Sequence, residues 1–302
     1  VRDWVKAWKI APCLLLLLCT AAIGQGPAEI RFTTTRLGDN VALVASGAGG
    51  NLAACFGEDG VFLVDAEYAE LVEKTQAAVA TLSDQPIRWV LNTHWHFDHT
   101  GGNAHFAAIG AVIAAHETVR ERMSAGQHLA VIDVDVPPSP PAALPTLTFR
   151  DGATFHVNGE EIGVFHAPAA HTDGDLIVHF RNANVVHVGD LVFNRGYPFI
   201  DVVAGGTIDG MVAGIERALT ICDDETKIIP GHGPLSNKAE LAEYAAMLRS
   251  FRDAIAQEIA AGKNLTEVLD AKPTAALDEK WGSAQFPPPL FTEMVYLSLG
   301  GE

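Results

Sequence analysis

Short apolar runs broken by glycine- and acid-rich turns fill the first third of the chain. Residues 41–46, 52–56 and 61–64 read as strands, with Gly49-Gly50-Asn51 and Glu58-Asp59-Gly60 as the turns between them. This spacing predicts an antiparallel meander that ends at Asp65, with 30–35 as an edge strand before it. The period then changes. Leu71, Val72, Thr75, Ala78, Val79 and Leu82 recur at helical spacing, so 69–82 is expected to be an amphipathic helix. The short apolar run 87–91 reads as a buried strand, followed by a helix over 103–109, a strand over 111–115 and a helix over 117–124.

The stretch 136–145 holds five prolines and cannot be regular structure. It reads as a surface connection between two halves of one domain. The second half is expected to open with strands over 146–149, 153–157 and 161–166, and to continue with strands over 176–180 and 184–188. A helix over 211–219, a strand over 227–229 and a long helix over 240–260 follow. Residues after Lys272 read as irregular and proline-rich, and 281–302 suggest no role.

The N-terminus changes the picture of the whole. Arg2, Lys6 and Lys9 precede an uncharged run over 10–23, and Ala21, Ala22 and Gly24 lead into Gln25. This is the pattern of a secretory signal over 1–24. An apolar run of 14 residues is short beside the roughly 20 of a membrane span. The expectation is an exported protein, periplasmic or extracellular, with no stable membrane insertion after the signal is removed. One domain would then occupy 25–302.

Formal charge is −17, and removing 1–24 takes away three basic residues and one acid, leaving about −19. So acidic a chain is a poor fit to nucleic acid, whose phosphates need basic surface. Cys55 and Cys222, each alone in an apolar segment, read as buried free thiols.

Candidate chemistry concentrates after the strand at 87–91. His94, His96, Asp98 and His99 place four metal-competent side chains within six positions. In extended chain, residues two apart point the same way, so His94 and His96 share one side. Asp98 and His99 fall where the chain bends toward a helix opened by Gly101-Gly102-Asn103, and can face a second position nearby. That pattern suits two neighbouring zinc ions. Carboxylates with histidines also suit iron or manganese. His116, at a strand-to-helix turn, reads as a cap rather than a ligand.

Thr93-His94-x-His96-x-Asp98-His99 resembles the signature of the metallo-β-lactamase superfamily, and the resemblance runs from about 42 to 248. It implies an α/β fold: an αβ/βα four-layer sandwich of two mixed sheets packed face to face, helices outside, metals at one edge. Asp65 resembles the family's acid beneath the metals, which accepts a hydrogen bond from a ligand or its loop. Asp65 also reads as a helix N-cap. His171, Asp190 and His232 resemble the remaining ligands. The resemblance then implies a first site of His94, His96 and His171, and a second of Asp98, His99 and His232, with Asp190 and a hydroxide nucleophile bridging them. Asp98 would orient that hydroxide and pass a proton to the leaving group. Two Zn²⁺, two carboxylates and one hydroxide sum to +1, which favours a small anionic substrate.

Substrate class divides the resemblance. The Gly205–Gly210 stretch before a helix looks like the substrate loop of zinc β-lactamases, and export fits that branch. Asp190 and His99 look instead like glyoxalase II-type thioesterases and lactonases. The leading expectation is β-lactam hydrolysis. The alternative is a thioesterase or lactonase, and a non-catalytic metal-binding protein stands third. Asn194, Arg195 and Tyr197 are the candidate substrate contacts.

Overall fold

The computed structural model describes residues 30–282 and 286–301, so the expected signal at 1–24 lies outside the described residues. Strands β1 (Thr33–Arg36), β2 (Val41–Ala45), β3 (Leu52–Gly57) and β4 (Gly60–Val64) form the expected antiparallel meander. Helix α1 (Val72–Ala80) then carries the chain to β5 (Ile87–Leu91), which pairs parallel to β4. Short helices α2 (Phe97–Thr100) and α3 (Asn103–Ala108) lead to β6 (Val112–His116), parallel to β5. Helix α4 (Glu117–Ala125), a small hairpin of β7 (Gln127–Leu129) and β8 (Val134–Val136), and then β9 (Leu147–Phe149) complete the first half.

Strand β9 lies beside β6 and closes the seven-stranded sheet β1-β2-β3-β4-β5-β6-β9. This corrects two expectations. The segment 146–149 belongs to the first sheet, not the second half. The proline-rich stretch 136–145 lies inside the crossover from β6 to β9 and does not join the halves; Arg150-Asp151 does. Prolines interrupt regular structure equally well within a crossover and between halves, so composition does not distinguish the two.

The second sheet runs β10 (Gly152–Val157), β11 (Glu160–Ala167), β12 (Asp175–Phe180) and β13 (Val185–His187), all antiparallel. Helix α5 (Ile208–Ile221) crosses to β14 (Lys227–Ile229), parallel to β13, and β15 (Ser236–Asn237) edges the sheet. Helices α6 (Lys238–Ala260), α7 (Leu265–Ala271), α8 (Ala275–Trp281) and α9 (Pro288–Ser298) follow. The last two replace the irregular tail expected after Lys272. Proline is compatible with a helix's first turn, and α9 has prolines at its first positions. Among the described residues no helix is long and apolar enough to cross a membrane.

Strand alternation explains the layering. Val41, Leu43, Phe62 and Val64 meet Val164, Leu176, Val178 and Ile229 between the two sheets. Their neighbours Ala42, Val44, Val61 and Leu63 face outward and bury Val72, Val79 and Phe106 of the first half's helices. On the other side, Ile177, Val186 and Ile228 face away from the first sheet and pack with Met211, Ile215, Leu248 and Phe291. The central strands β3, β4 and β12 are buried along nearly their whole length because both their faces are covered. The result is the four-layer αβ/βα sandwich, with strand ends from both sheets meeting along one edge.

Candidate metal centre

Parallel strands β4 and β5 end side by side, and the Asp65 amide donates to the Leu91 carbonyl at 2.8 Å. That join points the Asp65 carboxylate under the loop that leaves β5. Its Oδ1 accepts from the Thr93 amide at 2.7 Å, and its Oδ2 from the Thr93 hydroxyl at 2.8 Å and His99 Nδ1 at 2.7 Å. Asp65 is fully buried and holds φ at 64°, a left-handed conformation uncommon outside glycine. It does not cap the following helix: the first turn there starts after Tyr68 and has no side-chain cap. Of the two expected roles, Asp65 fills the one beneath the ligand loop.

His94, His96, His171 and Asp190 converge in one cluster, and Asp98, His99 and His232 in a second. Within each, the potential ligand atoms lie within 4.8 Å of one another. In the first, His94 Nε2 is 3.1 Å from His96 Nδ1, which is 2.8 Å from His171 Nε2. Asp190 Oδ2 lies 3.7 Å from His94 Nε2 and 3.6 Å from His171 Nε2. In the second, His232 Nε2 is 3.3 Å from Asp98 Oδ2, and His99 Nε2 is 3.6 Å from the same oxygen. Asp190 reaches here too, 3.3 Å from His232 and 3.2 Å from His99.

The outer nitrogens fix what the inner ones can do. His94 Nδ1 donates to the Thr93 hydroxyl at 3.0 Å, and His171 Nδ1 to the Phe199 carbonyl at 2.7 Å. His99 Nδ1 donates to Asp65, and His96 Nε2 to Asp201 Oδ2 at 3.1 Å. Four imidazoles therefore have the outer nitrogen engaged and the inner one turned toward the clusters, the arrangement metal-ligating histidines adopt. His99 Nε2 and Asp190 Oδ1 are buried with no hydrogen-bond partner. Orphaned polar atoms in a fold normally cost stability. Zinc–nitrogen bonds of about 2.0–2.1 Å in a tetrahedron place ligand atoms roughly 3.3 Å apart, close to the spacings here. The residues fit a divalent metal.

Electrostatics point the same way. Burial disfavours protonated histidine, holding His94 well below its ordinary value and His171 at about 4. Burial opposes charge in the second cluster as well, but Asp190 and Asp98 overcome it. They raise His99 well above its ordinary value and His232 to about 9. Asp98, buried yet facing His99 and His232, is held at about 2. Positive charge is what this second cluster selects.

The sequence profile described as the metallo-beta-lactamase superfamily matches residues 52–234, more than half of the chain. The chain belongs to that superfamily. An acyl-coenzyme A thioesterase of Bos taurus, MBLAC2, is 27% identical over 157 residues, 46% of this chain and 54% of the relative. A hydroxyacylglutathione hydrolase of Polaromonas sp. is 31% identical over 167 residues, 55% of each. The chain thus spans about half the length of these curated relatives. A metallo-beta-lactamase from Pontibacter korlensis aligns over 72% of this chain and 99% of its own with a TM-score of 0.60. At 18% identity, that likeness shows the fold alone.

Of the three expected substrate contacts, two have structural partners in the fold. Tyr197 is fully buried: its hydroxyl donates to Asp278 at 2.9 Å and its ring stacks on Phe291. It anchors the C-terminal helices to the loop after Asp190. Asn194 Nδ2 donates to the Pro234 carbonyl at 2.9 Å, bracing the His232 loop. Arg195 is exposed at a positive-φ turn. A run of polar residues near a ligand looks alike whether it lines the site or ties its loop to the core.

Two positioning residues went unread in the sequence. Asp201, buried, holds His96 with one oxygen and the Ala204 amide with the other, while its own amide donates to the His171 carbonyl. Asn51 Nδ2 donates to the carbonyls of Pro230 and Gly233, which flank His232. Local sequence carries no sign of Asp201, whose partner is 105 residues away. For Asn51, only its place in a glycine turn could have marked it.

Proposed function

We propose that this superfamily hydrolase holds two zinc ions and cleaves an acyl bond, with a thioester or lactone as substrate. The observation that carries the reading is Asp190, whose two oxygens lie within 3.7 Å of histidines in both clusters. With His99 in the second cluster, that is the donor set whose resemblance runs to thioesterases and lactonases. The relatives with thioesterase and hydroxyacylglutathione hydrolase names favour the same branch.

Zinc bound in such a set lowers the pKa of water to about 7 and polarises a carbonyl oxygen. The protein's own groups do the rest. Asp65, Thr93, Asp201 and the Phe199 carbonyl engage the outer histidine nitrogens and aim the inner ones. Asp98, its side chain 15% exposed where Asp190's is 4%, is the carboxylate best placed to orient water and hand a proton to the departing group.

The loop over 205–210 supports this choice over β-lactams. A Cβ on Gly206 would fall 2.3 Å from the His171 carbonyl, and one on Gly210 1.8 Å from the Ala169 carbonyl. Those glycines serve close packing on the His171 loop, which removes the reason for reading them as a lactam contact.

Zinc-loaded protein should hydrolyse a short acyl thioester with a kcat/KM at least about 100-fold above that for a chromogenic cephalosporin. A chelator should abolish both. The opposite ratio would return the β-lactam reading, and no metal-dependent turnover of either would end both.

A further inference from the structure

We infer that Phe193, Phe199 and Phe286 form a subsite for an apolar acyl chain, and that the C-terminal segment carrying Phe286 sets chain-length preference. The inference rests on the acyl-cleavage reading above and adds the substrate class.

Three phenylalanines from two stretches, the loop after Asp190 and the chain before α9, meet beside the donor clusters. Phe193 stacks on His232, ring centroids 4.6 Å apart and planes 20° apart. Phe199 sits 5.8 Å from His96 and 5.9 Å from His171. Phe286 packs across both, 5.4 Å from Phe193 and 5.6 Å from Phe199. Phe193 and Phe199 are buried, whereas Phe286 is only half-buried. Of the three rings, it keeps the most solvent-accessible surface. A group whose carbonyl carbon lies between the two clusters has this wall within a few methylenes.

The wall's chemistry selects its occupant. Ring faces and edges give no partner to a polar group, whose desolvation they would leave uncompensated. A polar limb has another place to go. A cleft of about 400 Å³ borders His232, where Arg31, Thr33, Ser46 and Asn51 alternate with an alanine- and glycine-rich turn. His232 thus adjoins an aromatic surface and a cleft that offers polar partners. A substrate that spans them is amphiphilic, with its acyl chain on the phenylalanines and its leaving group in the cleft.

The test is a series of straight-chain acyl thioesters, acetyl to octanoyl, on the zinc-loaded full chain. Burial of one methylene allows up to about fourfold per carbon, so kcat/KM should climb twofold to fourfold per methylene. Phe286→Ala should flatten the series to within about threefold from end to end, and Phe286→Leu should keep the climb. A flat wild-type series would overturn the inference. So would a Phe286→Ala variant that lowers every thioester by one common factor. If no thioester of any length is turned over, the proposed function fails on its own. Calorimetric binding of butanoate through octanoate to the zinc-loaded protein then decides the subsite. Affinity that climbs with length and stops climbing in Phe286→Ala upholds it; length-independent affinity overturns it.

Discussion

Asp201 shows how much of a metal site lies outside its ligands. Its carboxylate fixes which nitrogen of His96 faces inward, and its backbone holds the His171 carbonyl. Losing such a partner typically costs 10–100-fold in metal affinity. Asp201→Ala should therefore weaken first-site zinc by about that factor in a competition titration. Asp201→Asn, which can still accept from His96, should recover most of it. Equal affinity in both variants and wild type would show that His96 needs no such support. His94, His96, Asp98 and His99 were legible because one loop carries them and their spacing encodes their direction. His171, Asp190 and His232 were legible only through resemblance, since single residues after strands carry no signal of their own. Asp201 was legible by neither route. Tyr197 misled because a tyrosine near a ligand looks the same whether its ring faces the site or Phe291.

At the scale of elements, the glycine turn 47–50 and helix α9 each support the site from a distance. A Cβ on Gly50 would lie 2.2 Å from His99 Cε1, so no side chain fits there while His99 keeps its place. Gly50→Ala should displace His99 and reduce bound zinc from about two ions toward one, by elemental analysis of folded protein. Helix α9 acts through packing. Phe291 stacks on Tyr197 and touches Phe251, and Met294 Sδ accepts from the Ile200 amide. The C-terminal helices thereby brace the loop that carries Phe199 and Asp201. Emptying a fully buried phenylalanine costs about 3–5 kcal/mol. Phe291→Ala should lower Tm by several degrees in thermal melts, and a shift under 1 °C would show that α9 is not part of the cooperative core. Composition hid this element: the prolines read as a sign of irregular chain, yet they open a helix. The strand pattern, by contrast, was legible in the middle of the sheets, because central strands such as β3, β4 and β12 are apolar on two covered faces. What it could not tell was partnership, so β9 was assigned to the wrong half.

For the whole molecule, the two clusters titrate in opposite senses, and that asymmetry is testable. His94 and His171 are held below their ordinary value by burial. Without metal they favour the folded state above about pH 6.5, and that contribution is lost as pH falls toward about 4. His99 and His232 are raised, His232 to about 9, by the carboxylates around them. The His232 contribution to the metal-free protein is full below about pH 6.5 and is lost as pH rises through about 9, and that of His99 is lost in the same direction. Metal-free protein should then be most stable near pH 6.5, with melting temperature falling on both sides. Metal binding must displace whatever protons the ligands hold. At pH 7 the first cluster holds none on His94 and His171, while the second holds them on His99 and His232. Lowering pH from 9 to 6 should thus weaken the second ion steeply, by up to about tenfold per proton displaced per pH unit, and the first ion little. Zinc content after equilibration at fixed free zinc should step from two toward one across that range. Parallel loss of both ions would show that the carboxylates do not hold protons on the second cluster, and with it that its selectivity for positive charge has another source.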